Sequence, residues 1–211
     1  PKDAVVAFER AHKAAPTASA PINGVVRAYL RQGDIDGASR FLRRLIAENP
    51  ESGYLQNSYG ELLLVAGKPA EAVAPLEKAN ALSPDAPLPY FNLARAYVAT
   101  GNPSNGIALL DAGLTKAPDD LLLLRAKADA QLVSGQQAEA LATYLRIVEI
   151  RPGDDNAANN AAALIADNEY RDPAALKRAV ELVKRFEDAN SPNYLDTLGW
   201  SIDDCAQAFR R

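Results

Sequence analysis

Apolar residues recur along this chain at the spacing of amphipathic α-helices. Ile22, Val25, Val26 and Tyr29 illustrate the pattern, because residues three and four apart fall on one helical face. Alanine is very frequent and runs of β-branched residues are short, which also favours helices. Short polar segments containing glycine or proline separate the apolar segments. The pattern predicts an all-α chain of short helices joined by tight turns.

Three series of residues share a period of 34 residues. Proline lacks a backbone donor and disfavours the α conformation of the residue before it, so a periodic proline predicts the end of each unit. Glycine tolerates the left-handed conformation that closes a helix, and a small residue lets two helices approach closely. The prolines are Pro16, Pro50, Pro84, Pro118 and Pro152, the glycines are Gly33, Gly67, Gly101 and Gly135, and the small residues are Ala38, Ala72, Gly106 and Ala140.

The period and the residues within it match a known repeat signature, in which W-x2-L-G-x2-Y is followed by A-x3-F and P. In the second repeat, the matching residues are Tyr59, Gly60, Leu63, Ala72, Leu76, Ala79 and Pro84. The chain therefore resembles the tetratricopeptide repeat (TPR) family. The resemblance implies an α-solenoid of stacked antiparallel helical hairpins, which form a right-handed superhelix with a concave inner wall.

We expect a single TPR domain over residues 1–211 with about twelve helices. The first segment has the pattern of a second helix whose partner is missing, so we expect the chain to begin inside a repeat. The fifth repeat departs from the period, and the last segment supplies one helix only. The predicted units are a partial repeat at 1–16, repeats at 17–50, 51–84, 85–118 and 119–152, a divergent repeat at 153–191, and a partial repeat at 192–211.

The C-terminal part contains three short segments that resemble segments of certain bacterial TPR proteins. They are Asn159-Asn160, Asp172-Pro173 and the sequence DTLGW at 196–200. Many of those proteins are exported and associated with the cell envelope or with polysaccharide export. The resemblance implies a periplasmic or envelope-associated protein, with a cytoplasmic location left open. The chain departs from this pattern after residue 200.

Composition narrows the chemistry. The net charge is −4 and there is no basic stripe, so we expect no nucleic-acid partner. No apolar run is long enough to span a membrane. His12 and Cys205 are the only residues of their types. They lie at opposite ends of the chain, which argues against a Cys–His nucleophile or a histidine metal site.

The paired acids Asp119-Asp120, Asp154-Asp155 and Asp203-Asp204 lack the calcium-loop pattern, and we interpret them as helix caps or solvated residues. We therefore expect no enzyme activity, no metal and no cofactor.

The resemblance implies that binding residues lie on the first helix of each repeat and face the concave wall. The residues carried over in this way are apolar and aromatic anchors, charged residues that alternate in sign, and asparagines able to bind a ligand's backbone. An apolar row at Leu30, Leu64, Val98, Leu132 and Ala166 accompanies them. The candidate peptide-binding residues are Tyr54, Asn57, Glu61, Leu88, Phe91, Asn92, Arg95, Leu122, Arg125, Asp129 and Asn160.

These observations predict a scaffold that binds a protein or peptide, as part of a larger bacterial protein. The alternative is a docking or regulatory segment of an enzyme whose catalytic domain lies outside this chain. Two structural interpretations stay open beside binding: part of the apolar row belongs to the core, and the wall charges pair with one another, Glu61 with Arg95 for example. Terminal helices without partners also predict end-to-end self-association.

Overall fold

The computed structural model describes residues 5–7, 10, 19–168 and 172–184, and those residues form helices and turns without any strand. This confirms the predicted all-α class of antiparallel helical hairpins. The ten helices that have defined ends are α1 (Ser19–Leu30), α2 (Ile35–Glu48), α3 (Gly53–Val65), α4 (Pro69–Leu82), α5 (Pro87–Ala99), α6 (Pro103–Lys116), α7 (Leu121–Val133), α8 (Gln137–Ile150), α9 (Asp155–Asn168) and α10 (Pro173–Val183).

The periodic glycines close the first helix of each repeat, as predicted. They adopt the left-handed conformation, with φ of 71° at Gly33, 72° at Gly67, 80° at Gly101 and 76° at Gly135. L-amino acids adopt that conformation only with strain, so achiral glycine is the residue that permits the tight turn. The periodic prolines from Pro50 onward all lie in the connections between one repeat and the next. The turn predictions are therefore confirmed.

Aspartates cap several helices. Asp120 Oδ1 accepts hydrogen bonds from the amides of Leu122 and Leu123 at 2.9 and 3.0 Å at the start of α7. Asp154 Oδ1 accepts one from the amide of Ala157 at 3.1 Å at the start of α9. Each bond satisfies an amide that the first helical turn leaves without a partner. The interpretation of these two acids as caps is confirmed.

The chain divides into two compact units, Pro1–Gly101 and Asn102–Arg211. In the first unit, successive helices from α1 to α5 pack against each other, and α3 also packs against α5. Its core includes Val25, Leu42, Leu45 and Leu62. In the second unit, α6 to α10 pack in succession. The predicted single domain stays a prediction.

The small residues of the repeat are buried in the packed helices. Ala38, Ala72 and Ala140 have no exposed surface. A Cβ added to Gly60 on α3 would lie 2.3 Å from Cγ of Leu76 on α4, so a larger residue there would force Leu76 to shift. The predicted role of these positions in close packing is confirmed.

Several predictions fall outside the described residues. They concern His12, Cys205, Asp203-Asp204, the DTLGW segment at 196–200, the terminal helix at 192–211 and, apart from residues 5–7 and 10, the terminal helix at 1–16. The expected self-association through those terminal helices stays a prediction.

Candidate peptide-binding site

Seven of the candidate residues form two stripes on neighbouring helices of the first unit. Side chains three and four residues apart share one face of a helix. The stripe on α3 contains Tyr54, Asn57 and Glu61. Helices α3 and α5 pack against each other. We call the surface formed by the two stripes the α3–α5 surface, and the α5 stripe contains Leu88, Phe91, Asn92 and Arg95.

A hydrogen bond between asparagines joins the two stripes. Asn92 Nδ2 donates to Asn57 Oδ1 at 3.1 Å. Both side chains are buried, with exposed fractions of 1% for Asn92 and 4% for Asn57. Buried amides of this kind need partners, and this bond satisfies the amide oxygen of Asn57 and one N–H of Asn92. They form the floor of the α3–α5 surface, so a ligand would reach them only if their present bonds were exchanged.

Tyr54 extends the surface towards α1. Its hydroxyl donates to Asn23 Oδ1 at 2.6 Å and also lies 3.2 Å from the carbonyl oxygen of Ser19. Desolvation by burial raises the pKa of Tyr54; a hydrogen bond with Ser58 opposes this shift and the negative charge of Glu61 adds to it. The hydroxyl of Tyr54 stays protonated at physiological pH, and its hydrogen bonds to α1 hold the ring in place.

The charged residues of the α3–α5 surface do not pair with one another. The guanidinium of Arg95 lies over the ring of Phe91, 5.3 Å from its centroid, and Nη1 donates to Asn92 Oδ1 at 3.4 Å. Glu61 is exposed, and within the described residues no ion pair joins it to Arg95. The interpretation of Glu61 and Arg95 as a mutual pair is therefore wrong. Both charges remain accessible to a ligand.

The candidate charges in the second unit have internal partners. Arg125 on α7 forms an ion pair with the buried carboxylate of Asp154. Asp129 Oδ1 accepts a hydrogen bond from the hydroxyl of Tyr144 at 3.0 Å. Burial, followed by the charge and hydrogen bond of Asp129, raises the pKa of Tyr144, and a hydrogen bond with Asn160 opposes that shift. Among the candidates here, Leu122 is the exposed apolar side chain.

The apolar row divides between surface and core. Leu30, Leu64 and Val98 are half-buried, Leu132 is exposed, and Ala166 is fully buried. The core interpretation therefore holds at Ala166, and a binding role for the half-buried and exposed positions stays a prediction. Sequence spacing did not indicate that Asp154 would neutralise Arg125, because the two residues lie in different repeats and only the folded chain brings them together.

The described residues contain no group of three or more His, Cys, Asp or Glu side chains able to hold a metal ion. No described helix has the length and hydropathy required to cross a bilayer.

Comparisons with known proteins identify the repeats. Two tetratricopeptide repeat models match residues 26–87 and 63–128. Residues 26–128 therefore match tetratricopeptide repeats, whose fold is typical of non-catalytic scaffolds that bind other proteins. No curated protein matches the sequence significantly.

Solved structures support the same fold. The structure of PilW, described as a widely conserved type IV pilus biogenesis factor, has a TM-score of 0.75 and 19% identity, covering 93% of this chain and 90% of that one. YrrB, described as a TPR protein with an unusual peptide-binding site, has a TM-score of 0.60 and 17% identity, covering 99% and 100%. A thermophilic TPR protein of Thermus thermophilus has a TM-score of 0.63 and 22% identity, covering 76% and 88%. At these identities the likeness concerns the fold alone.

Proposed function

We propose that the α3–α5 surface binds a segment of a partner protein, and that this chain acts as an interaction scaffold. The single observation that carries the proposal is the Asn57–Asn92 hydrogen bond, which joins the stripes of two helices into one surface. Above this floor stand apolar Leu88, which is 45% exposed, and the half-buried ring of Phe91. An apolar patch with polar groups at its edges suits a helical or extended peptide.

Free charges favour the first unit over the second as the principal site. Arg95 and Glu61 on the α3–α5 surface have no ionic partners among the described residues, whereas Arg125 and Asp129 are bonded internally. A ligand meets Glu61 and Arg95 without displacing an ionic partner, and the contacts that Arg95 does make are with Phe91 and Asn92 of the same surface. Breaking the Arg125–Asp154 pair would instead leave a buried carboxylate without its partner, which is costly.

Phe91→Ala tests the proposal. Peptides selected from a random displayed library against the wild-type chain would be titrated calorimetrically into wild type and variant. A few apolar anchors usually carry most of the energy of an interface, so we expect at least a ~5- to 30-fold loss of affinity, about 1–2 kcal/mol. Ile35→Ala removes a partly exposed apolar side chain from α2 and serves as the matched control, with little effect expected.

Reversing the charges of Glu61 and Arg95 tests whether they determine the orientation of the ligand rather than its affinity. We expect Glu61→Arg combined with Arg95→Glu to alter the salt dependence and selectivity of binding more than affinity, since surface charges mainly steer encounter. Normal binding by Phe91→Ala would place the site elsewhere. The docking segment of an enzyme in a longer protein would use the same surface, and no observation in the described residues favours it.

A further inference from the structure

The first unit contains a second groove, on the opposite side of α3 from the candidate residues. It has a volume of about 420 Å³ and lies between α2, α3 and α4, with Arg43, Ile46, Tyr59, Pro75 and Lys78 among its lining residues. A helix turns about 100° per residue, so Tyr59 lies roughly opposite Glu61 and Asn57 on α3. We call this cavity the α2–α4 groove. A ligand in it would not touch the α3–α5 surface.

An equivalent groove lies in the second unit, two repeat periods further along the chain. Its volume is about 580 Å³, and it is formed by α6, α7 and α8. Each of the five named residues of the α2–α4 groove has a counterpart at the same repeat position. In the same order, the counterparts are Asp111, Leu114, Lys127, Thr143 and Arg146. The repeat therefore builds the same cavity twice with different chemistry.

The groove of the second unit satisfies its own polar groups. Lys127 Nζ lies 2.6 Å from Asp111 Oδ1 in an ion pair. The Thr143 hydroxyl lies 3.0 Å from the carbonyl oxygen of Glu139 and 2.8 Å from Gln131 Oε1. Arg146 Nη2 donates to the carbonyl oxygen of Pro118 at 2.9 Å. This groove presents few polar groups in need of a partner.

The α2–α4 groove differs at the same positions. Arg43 replaces the acid and Tyr59 replaces the lysine, and within the described residues neither the guanidinium nor the hydroxyl has a hydrogen-bond or ion-pair partner. Pro75 replaces the threonine, and because proline has no N–H, the carbonyl oxygen of Glu71 loses its regular helical donor. Lys78 pairs with Glu51 at 3.3 Å, in an exposed setting where such pairs contribute little.

These groups favour an acidic partner with apolar residues. Arg43 and Tyr59 are both donors suited to a carboxylate, and Lys78 adds positive charge nearby. The ring of Pro75 and the side chain of Ile46 supply apolar contacts beside them. We propose that the α2–α4 groove is a second docking site, which binds a peptide segment that carries an aspartate or glutamate next to an apolar residue. The site is independent of the α3–α5 surface.

The equivalent groove provides the test variant. Arg43→Asp combined with Tyr59→Lys installs the residues that form the internal ion pair in the second unit, so the fold should tolerate them. The probe is a fluorescein-labelled peptide of alternating aspartate and leucine, titrated by fluorescence polarisation. We expect this double variant to weaken binding by at least ~10-fold, because the two free donors are replaced by an acid and a lysine that pair with each other and leave no donor for the probe. Arg43→Gln alone, at an exposed position, should weaken binding by about 3-fold or more.

Two protein controls and two peptide controls isolate the groove. Arg40→Gln changes the net charge by the same −1 on the same helix, outside the lining residues, and Phe91→Ala alters only the α3–α5 surface. Both should bind the probe within about 2-fold of wild type, as expected for positions outside the contact. Peptides with asparagine for aspartate, or serine for leucine, should bind more weakly. Circular dichroism confirms that each variant is folded.

Four results would overturn the proposal. They are failure of the wild-type chain to bind the probe, equal binding of the asparagine peptide, an equal loss in Arg40→Gln, and unchanged binding by the double variant. If the double variant instead abolishes self-association measured by sedimentation and leaves probe binding unchanged, the occupant is a second copy of this chain. Loss of library-peptide binding in Phe91→Ala with intact probe binding would separate the two sites.

Discussion

Asn92 Nδ2 donates to Asn57 Oδ1 across 3.1 Å, between two helices that belong to successive repeats. The bond connects α3 to α5 at a point where neither amide reaches bulk solvent. The repeat thus places a buried polar contact inside the interface between two packed helices. A buried polar pair constrains how the two helices align, because any shift in register leaves both groups unsatisfied.

We predict that Asn92→Leu lowers the free energy of unfolding by about 1–3 kcal/mol, because it leaves Asn57 Oδ1 buried without its donor. Urea denaturation followed by circular dichroism measures the change. The double variant Asn57→Leu/Asn92→Leu should lose clearly less than the sum of the two single losses, since no orphaned amide remains. Strictly additive losses would show that the two amides are not coupled.

Leu93 tests the packing of α5. Its side chain is 3% exposed, so Leu93→Ala should lower the free energy of unfolding by about 2–5 kcal/mol, through lost burial and the cavity left behind. Leu88→Ala, on the same helix and 45% exposed, is the matched control and should cost less than about 1 kcal/mol. Equal thermal midpoints for the two variants would mean that the helical register is wrong.

The left-handed turns give a third prediction. Gly67 has φ of 72°, and a Cβ built there meets nothing within 4 Å, so Gly67→Ala adds backbone strain without a steric clash. We expect a loss of about 1–2 kcal/mol in the free energy of unfolding. Gly153→Ala also meets nothing within 4 Å and has no positive φ, so it should be neutral or stabilising by about 0.4–1 kcal/mol. If urea titrations gave similar changes in the free energy of unfolding for the two variants, the positive φ of Gly67 would not be the cause of its loss.

Alkaline pH gives a fourth prediction. Burial and the neighbouring carboxylate of Asp129 raise the pKa of Tyr144 above its value in the unfolded chain, which is about 10. Above that pH the unfolded state releases this proton while the folded state retains it, so stability should fall as the pH rises. Below it the stabilisation is fully present. Urea midpoints compared at mildly and strongly alkaline pH, with Tyr144→Phe as the control, measure the effect.

Tyr144→Phe should lower stability near neutral pH by about 0.5–1.5 kcal/mol, because it removes the hydrogen bond to Asp129. It should also reduce the fall in stability at alkaline pH. If wild type and variant lose stability in parallel as the pH rises, the titrating group is a different one.

The sequence predicted the features that depend on neighbours along the chain. The period of the glycines predicted left-handed turns, and all four have positive φ. The acids at 120 and 154 were predicted as caps, and both accept amide hydrogen bonds from the helices that follow them. These effects operate within one helical turn, so residue type and position suffice to predict them.

Contacts between repeats could not be predicted in the same way. Glu61 and Arg95 occupy equivalent positions, and a pair between them was one of the interpretations left open, yet Arg95 contacts Phe91 and Asn92 instead. Arg125 pairs with Asp154, which follows it by 29 residues and was expected to be a helix cap or a solvated acid. A long side chain can reach several possible partners, and its position in the repeat does not determine which of them it contacts.

Asp154 has two simultaneous partners. One oxygen accepts from the amide of Ala157 at the start of α9, and the other contacts the guanidinium of Arg125 on α7. A ligand that drew Arg125 away would leave this carboxylate, which is 5% exposed, without its counter-charge and would loosen the first turn of α9. By thermodynamic linkage, a change that stabilises the first turn of α9 would weaken the binding of such a ligand to Arg125 by the same free energy. One carboxylate therefore couples occupancy at α7 to the local order of the next repeat.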